Sequence, residues 1–189
     1  MSLWPRQIPN VLTALRILLV VPIVALLLQR QFAAAAGLFL LAALSDGLDG
    51  LLARRFGWQT RLGGLLDPLA DKLLVNACFL ALWWLDKVPG WLPALVGLRD
   101  LVIVGGALAY HWRIGQVEMA PSALGKASTV AQTGFLWLAM LDLALDRGAS
   151  PWWPWGVGVV IALILASGLD YVLRWSYRAR HAKPRRSDP

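Results

Sequence analysis

Cysteine is nearly absent from this sequence: Cys78 is the only one in 189 residues. A lone thiol cannot form an intrachain disulfide, so this is no disulfide scaffold. Set in an apolar run, Cys78 reads as a small buried hydrophobe. Charge is scarce too. Asp, Glu, Lys and Arg make up 15% of the chain, where a soluble domain carries about a quarter. That shortage argues against an ordinary soluble protein. No internal repeat or low-complexity segment divides the sequence, so a single domain, residues 1–189, accounts for it.

What the chain has in abundance is apolar length. It is 58% hydrophobic, with a mean hydropathy of +0.60. Six segments are long enough to cross a bilayer, which takes about 20 mostly apolar residues. They are Val11–Leu28, Phe32–Ala53, Gly64–Leu85, Trp91–Trp112, Ala123–Leu145 and Trp153–Leu173. None alternates like a barrel strand, so the expected fold is an all-α integral membrane protein with six transmembrane helices. Pro9, Pro89, Pro121 and Pro151 are expected at or before helix starts, where a missing N–H costs least. The first segment resembles a signal peptide, but Arg16 interrupts its apolar core, and it is expected to remain as a span.

The net charge of +7 could point to nucleic acid. The basic residues, however, lie between and after the apolar segments and form no soluble stripe, so no nucleic acid is expected as a partner. Arg6, Arg54, Arg55, Arg61, Arg113 and the tail from Arg174 to Arg186 fall on one side, against Arg30, Lys87 and Arg147 on the other. This asymmetry puts both termini in the cytoplasm. Trp83, Trp84, Trp91, Trp152, Trp153 and Trp155 mark the outer boundary as interface anchors, and Trp4, Trp58, Trp112 and Trp175 mark the inner one. The polar tail, about residues 175–189, is expected to lie on anionic headgroups or to be disordered.

Against this background the segment SDGLDGLLARRFGWQTRLGGLLDPLADK, Ser45 to Lys72, carries four aspartates. Asp46, Asp49, Gly50, Ala53 and Arg54 follow one another at offsets of three, four, seven and eight, along one helical face. Asp67 and Asp71 are one turn apart on the next helix. A short turn containing Gly57 joins the two helices, which are therefore expected to be antiparallel neighbours with converging carboxylate faces. Four carboxylates at close range repel, and divalent cations relieve that repulsion. An all-oxygen ligand set suits Mg²⁺, Mn²⁺ or Ca²⁺ rather than zinc. Two such ions suit in-line displacement at phosphorus, with one carboxylate taking a proton from an incoming hydroxyl. Gly50, Ala53 and Gly63 would let a bulky ligand or backbone come close. Arg54 can pair with a phosphate or snorkel to the interface. A divalent-cation transporter is the alternative reading, since intramembrane carboxylates also line ion paths.

The pattern Asp46-x2-Asp49-Gly50-x2-Ala53-Arg54-x8-Gly63-x3-Asp67-x3-Asp71 resembles, at all eight fixed positions, the signature of the CDP-alcohol phosphatidyltransferases. Chain length and the six expected spans are similar as well. The resemblance implies a CDP-activated lipid, CDP-diacylglycerol, bound at the cytoplasmic face. It implies an acceptor hydroxyl attacking the phosphorus that bears the lipid, with CMP leaving. By position, Asp46, Asp49, Asp67 and Asp71 would hold two divalent metal ions, Mg²⁺ or Mn²⁺, and Asp71 would double as general base. Asp49, Gly50, Ala53, Arg54, Thr60 and Gly63 would meet the CDP-lipid. Asn10 and Thr13, in PNVLT, resemble a segment bordering the nucleotide, although Asn10 alone also reads as a helix cap. The resemblance further implies a homodimer in a membrane, here the bacterial inner membrane.

For the acceptor, Arg99 and Asp100 interrupt an apolar helix, either as a functional pair or as a structural ion pair. Lys126 could meet a phosphate or merely anchor its helix. Arg113 is a further acceptor candidate or a plain positive-inside charge. LDPLADK, LRD and PSALGKASTVAQ are similar to eukaryotic-type cardiolipin synthases, whose acceptor is phosphatidylglycerol. Much of this is also similar to phosphatidylglycerophosphate synthases, which use glycerol 3-phosphate. The latter are expected to carry Glu after the arginine. Asp100 stands there in this chain, which tilts the reading to the cardiolipin-synthase type.

Overall fold

The computed structural model describes the backbone of residues 4–56, 61–114, 122–147 and 150–181, and the side chains of residues 14–45, 70–106, 122–147 and 150–174. Among the described residues the chain is six helices with no strand. In order they are α1 (Trp4–Leu28), α2 (Phe32–Phe56), α3 (Arg61–Trp84), α4 (Trp91–Ile114), α5 (Ala123–Ala144) and α6 (Trp153–His181). The number and order match the six expected segments, while several helices run further than their apolar cores. Helix α1 starts at Trp4, so Pro5 occupies its first turn and Pro9, expected at a helix start, lies inside it. Helix α6 continues to His181, so the basic segment after Leu173 begins as helix. Backbone hydrogen bonding does not stop where hydrophobicity stops, because Arg, Trp and Tyr are adequate helix formers.

Three turns at one end of the bundle share one design. Helices α1, α3 and α5 each finish with a non-glycine residue in the left-handed region: Arg30 (φ 59°), Asp86 (φ 56°) and Asp146 (φ 54°). Arg30 N–H donates to Leu27 and Gln31 N–H to Leu26, and the same pair of bonds recurs at Asp86/Lys87 and Asp146/Arg147. These paired bonds satisfy carbonyls that a helix end otherwise leaves open.

Above and below a common level the interior changes character. Toward the turns it is apolar, apart from Asp142: Ile23 and Leu27 on α1, Phe39 on α2, Phe79 and Leu82 on α3, Leu92 and Val96 on α4, Leu136 and Met140 on α5, Val160 and Ile164 on α6. Phe79 stacks on Phe135 at 6.1 Å, and Trp152 and Trp153 meet Phe135 edge-on. Gly156 permits this aromatic cluster, because a Cβ there would lie 2.8 Å from Trp152 and 2.9 Å from Phe135. One turn further from the turns, buried residues become polar: Arg16, Arg99, Asp100, Ser128, Gln132 and Ser167. Large apolar side chains instead face outward, as at Leu18, Val21, Leu101, Val130 and Leu169.

Helix α1 packs on both α2 and α3; α5 also touches both; α4 lies between α3 and α6. The principal neighbours of α2 are thus α1 and α5 rather than α3. The expected pairing of α2 with α3 falls on the Asp46–Arg54 and Gly63–Asp67 faces, whose side chains lie outside the described residues. Trp153 departs from expectation. It is buried rather than at an interface, and its indole N–H donates to Asp142 at 2.8 Å. An indole can leave the interface when its N–H finds a buried partner. Among the described residues one stretch, Trp153–Arg174, is long and apolar enough to cross a membrane, and Ala14–Leu28 and Phe32–Ser45 are shorter apolar helices. In α5 the inward Ser128, Thr129 and Gln132 dilute the apolar character.

Candidate active site

Four helices bring polar side chains to the level where the apolar core ends. Helix α3 supplies Asp71, Lys72 and Asn76; α4 supplies Arg99 and Asp100; α5 supplies Thr129 and Gln132; α6 supplies Ser167. Spacing explains the grouping. Lys72 and Asn76 are one turn apart, as Thr129 and Gln132 nearly are, so each pair projects from one face.

Asp100 sits at the centre. Its Oδ1 accepts from Lys72 Nζ at 2.5 Å and from Arg99 Nη1 at 2.8 Å. Its Oδ2 accepts from Asn76 at 3.0 Å. Asn76 also donates to the Lys72 carbonyl, closing the arrangement onto α3. Arg99 Nη2 reaches across the bundle, donating to Ser167 Oγ at 3.0 Å and to the Gly125 carbonyl at 3.4 Å. The Gly125 carbonyl accepts from Thr129 as well. Arg99 and Asp100 are each 8% exposed, and a charge at that depth is tolerated only with counter-charge and hydrogen bonds. Arg99 Nε is buried without a hydrogen-bond partner among the described residues.

Asp71, Lys72, Arg99, Asp100, Thr129 and Gln132 border a cavity of about 10 Å³, room for one water-sized group such as a hydroxyl. A larger open groove of about 460 Å³ at the turn end, between Arg30, Phe32, Leu143 and Asp146, lies far from these carboxylates.

Of the residues singled out in the sequence, the structure brings Asp71, Arg99 and Asp100 together at this cavity. Lys126 is exposed on α5 and does not border it. The backbones of Asp46, Asp49, Gly50, Ala53 and Arg54 lie on α2, and those of Gly63 and Asp67 on α3, but their side chains are outside the described residues. So are the side chains of Asn10, Thr13 and Arg113, and Thr60 altogether. No group of three or more potential metal ligands occurs among the described residues. Asp71 is the one member of the expected ligand set whose side chain is described, and its oxygen-donor chemistry fits Mg²⁺ or Mn²⁺. Lys72, Asn76, Thr129, Gln132 and Ser167 were not anticipated as site residues. Thr129 and Gln132 were nonetheless visible as fixed positions of PSALGKASTVAQ.

Comparison with known proteins gives this geometry a lineage. The pattern of the CDP-alcohol phosphatidyltransferase family matches residues 6–172, and the chain belongs to that family. It is 33% identical over 178 residues to a protein of Mycobacterium tuberculosis named "Probable phosphatidylglycerophosphate synthase", covering 89% of this chain and 81% of the relative. It is 33% identical over 139 residues to the CDP-diacylglycerol–glycerol-3-phosphate 3-phosphatidyltransferase of Bacillus subtilis, covering 73% and 71%. It is also 37% identical over 110 residues to the CMP-forming cardiolipin synthase of Rattus norvegicus, covering 58% of this chain. The chain spans only 36% of the length of that rat protein.

Proposed function

We propose that the protein transfers a phosphatidyl group from CDP-diacylglycerol to the hydroxyl of a glycerol-type acceptor, releasing CMP, within a bacterial inner membrane and at its cytoplasmic face. One observation carries the reading. Asp71, the last position of the family pattern, borders the same cavity as Lys72 and Arg99. A carboxylate able to take a proton thus stands beside cations able to attract a phosphate.

In this mechanism Asp71 accepts the proton of the acceptor hydroxyl. The freed oxygen attacks the phosphorus bearing the lipid, and the bond from that phosphorus to the bridging oxygen breaks, the electron pair leaving with CMP. Asp46, Asp49, Asp67 and Asp71 would hold two divalent ions, Mg²⁺ or Mn²⁺, which when bound supply neutralisation of the diphosphate and of the leaving group. Asn10, Thr13, Asp49, Gly50, Ala53, Arg54, Thr60 and Gly63 would bind the CDP-lipid. Arg99, with Lys72 beside it, orients the acceptor, and Thr129 and Gln132 offer hydrogen bonds to its hydroxyls. Lys126 and Arg113 would act further out, where an anionic acceptor arrives. Six membrane spans with cytoplasmic termini and a homodimer belong to the same reading. The outward Leu18, Val21, Leu101 and Val130 around a polar interior support the membrane setting.

The preferred acceptor is phosphatidylglycerol. Glycerol 3-phosphate is a second reading, favoured by the relatives named for that acceptor or its product, which match over more of both chains. The deciding experiment supplies purified protein with CDP-diacylglycerol, Mg²⁺ or Mn²⁺, and either acceptor. CMP release is measured and the lipid product identified by mass. Cardiolipin from phosphatidylglycerol supports the first reading, phosphatidylglycerol phosphate supports the second, and no CMP with either removes both.

A further inference from the structure

The groove at the turn end takes no part in the chemistry described above. It measures about 460 Å³ and lies between the α1–α2 turn and the end of α5. That volume falls within the range of about 300–1,000 Å³ typical of ligand sites. Ala33, Ala34 and Ala144 border it, and their short side chains leave the space open. Two opposite charges, Arg30 and Asp146, stand at its border. Both are exposed, and among the described residues neither forms an ion pair. A cation and an anion beside one groove, not paired with each other, are complementary to a ligand that carries both signs. The apolar stretch Ala14–Leu28 ends at this groove and Phe32–Ser45 begins there. In a bilayer that junction lies at the level of the headgroups.

We propose that this groove binds the headgroup of a zwitterionic phospholipid with a primary ammonium, phosphatidylethanolamine, its phosphate on Arg30 and its ammonium on Asp146. The two charges select among headgroups. The Arg30 guanidinium offers charge-assisted N–H donors to a phosphate. Asp146 can accept hydrogen bonds only from an ammonium that has hydrogens to give. A quaternary ammonium has none and is recognised by aromatic cages; among the described residues bordering the groove, Phe32 is the one aromatic. An anionic headgroup could use Arg30 but would be repelled by Asp146. The bound lipid ties the α1–α2 turn to the end of α5 and is neither donor nor acceptor in the reaction. The inference rests on the membrane setting and not on phosphatidyl transfer, so either can fail without the other.

The test uses the full chain, delipidated in a non-ionic detergent, with native mass spectrometry counting bound phosphatidylethanolamine or phosphatidylcholine. The two lipids differ in the methylation of the ammonium. Each variant is checked for monodispersity and helical content. Wild type should bind phosphatidylethanolamine about ten-fold more tightly than phosphatidylcholine. Asp146→Asn should erase that preference. Arg30→Gln should weaken both lipids by about ten-fold, since both carry the phosphate. Ala34→Leu keeps the charges, fills the groove and should also weaken both. Asp86→Asn changes the matching turn after α3, which does not border the groove, and should leave binding as in wild type. Equal affinity of wild type for the two lipids would overturn the proposal and leave an apolar slot only. Tighter binding by Asp146→Asn would overturn it in favour of an anionic lipid. Binding unchanged by both Arg30→Gln and Ala34→Leu would overturn it as well, and so would an Asp86→Asn effect as large as that of Asp146→Asn.

Discussion

Two buried carboxylates, Asp100 within α4 and Asp142 in the last turn of α5, sit at different levels of the same bundle and do different work. Asp142 accepts from Ser150 N–H at 3.3 Å, Ser150 Oγ at 2.7 Å and Trp153 Nε1 at 2.8 Å. Each of those partners is neutral and lies within eleven positions in the chain. The group closes the turn between α5 and α6 and leads nowhere else. Asp100 binds two cations and an amide, with Lys72 28 positions away. Its network reaches on through Arg99 to Ser167, 68 positions from Arg99, and borders a cavity with Asp71. Burial alone therefore does not mark a site. Opposed charges from several helices, with a donor left over, mark it better.

Substitutions can separate the two carboxylate sites. The largest effect is expected from Asp71→Asn, which should lower CMP release by 10³-fold or more, roughly the loss of a general base and a metal ligand together. Helical content should be unchanged by circular dichroism. Chelation of divalent ions should produce a comparable loss, reversed by adding Mg²⁺ or Mn²⁺. Arg99→Gln should come next, cutting kcat/KM for the acceptor by about 10- to 100-fold with a smaller change in the KM for CDP-diacylglycerol. Asp142→Ala should do the reverse. Three donors lose their acceptor, costing about 1–3 kcal/mol, seen as a lower melting temperature in detergent while turnover per folded molecule holds. Trp153→Phe keeps an aromatic side chain but loses the indole N–H bond to Asp142 and part of the buried ring volume, at a cost of about 1–3 kcal/mol. Smallest of all should be Lys126→Met, with less than about a three-fold change in acceptor KM, because an exposed cation is screened. An Asp142 variant that lost activity without losing stability would erase the distinction between the two carboxylates.

Helix number and order were legible because apolar runs of about 20 residues leave little choice of structure in a bilayer. Helix ends were less so. Trp4–Gln7 and Arg174–His181 are helical without being apolar, and hydropathy is blind to that. Packing was the hardest. Nothing in hydropathy says that α1 packs on both α2 and α3 or that α5 touches both, because that depends on side-chain fit across the whole bundle. In the site, Asp71 and Arg99 stood out as charges within apolar sequence. Asn76 and Ser167 did not, since single neutral polar residues are ordinary in helices and acquire meaning only through a partner on another helix. Trp153 was misread for the same reason, because its partner Asp142 lies across a turn.

The three matching helix ends at Arg30, Asp86 and Asp146 offer a route to a hardier protein. Each holds a side-chain-bearing residue in a conformation that glycine adopts without steric cost. Arg30→Gly, Asp86→Gly and Asp146→Gly should each add about 0.5–1 kcal/mol of stability, and at separated positions these gains should sum. The turns lie beyond the apolar layer from Asp71, Arg99 and Asp100, so thermal tolerance for purification can be raised at one end while the chemistry at the other is left alone.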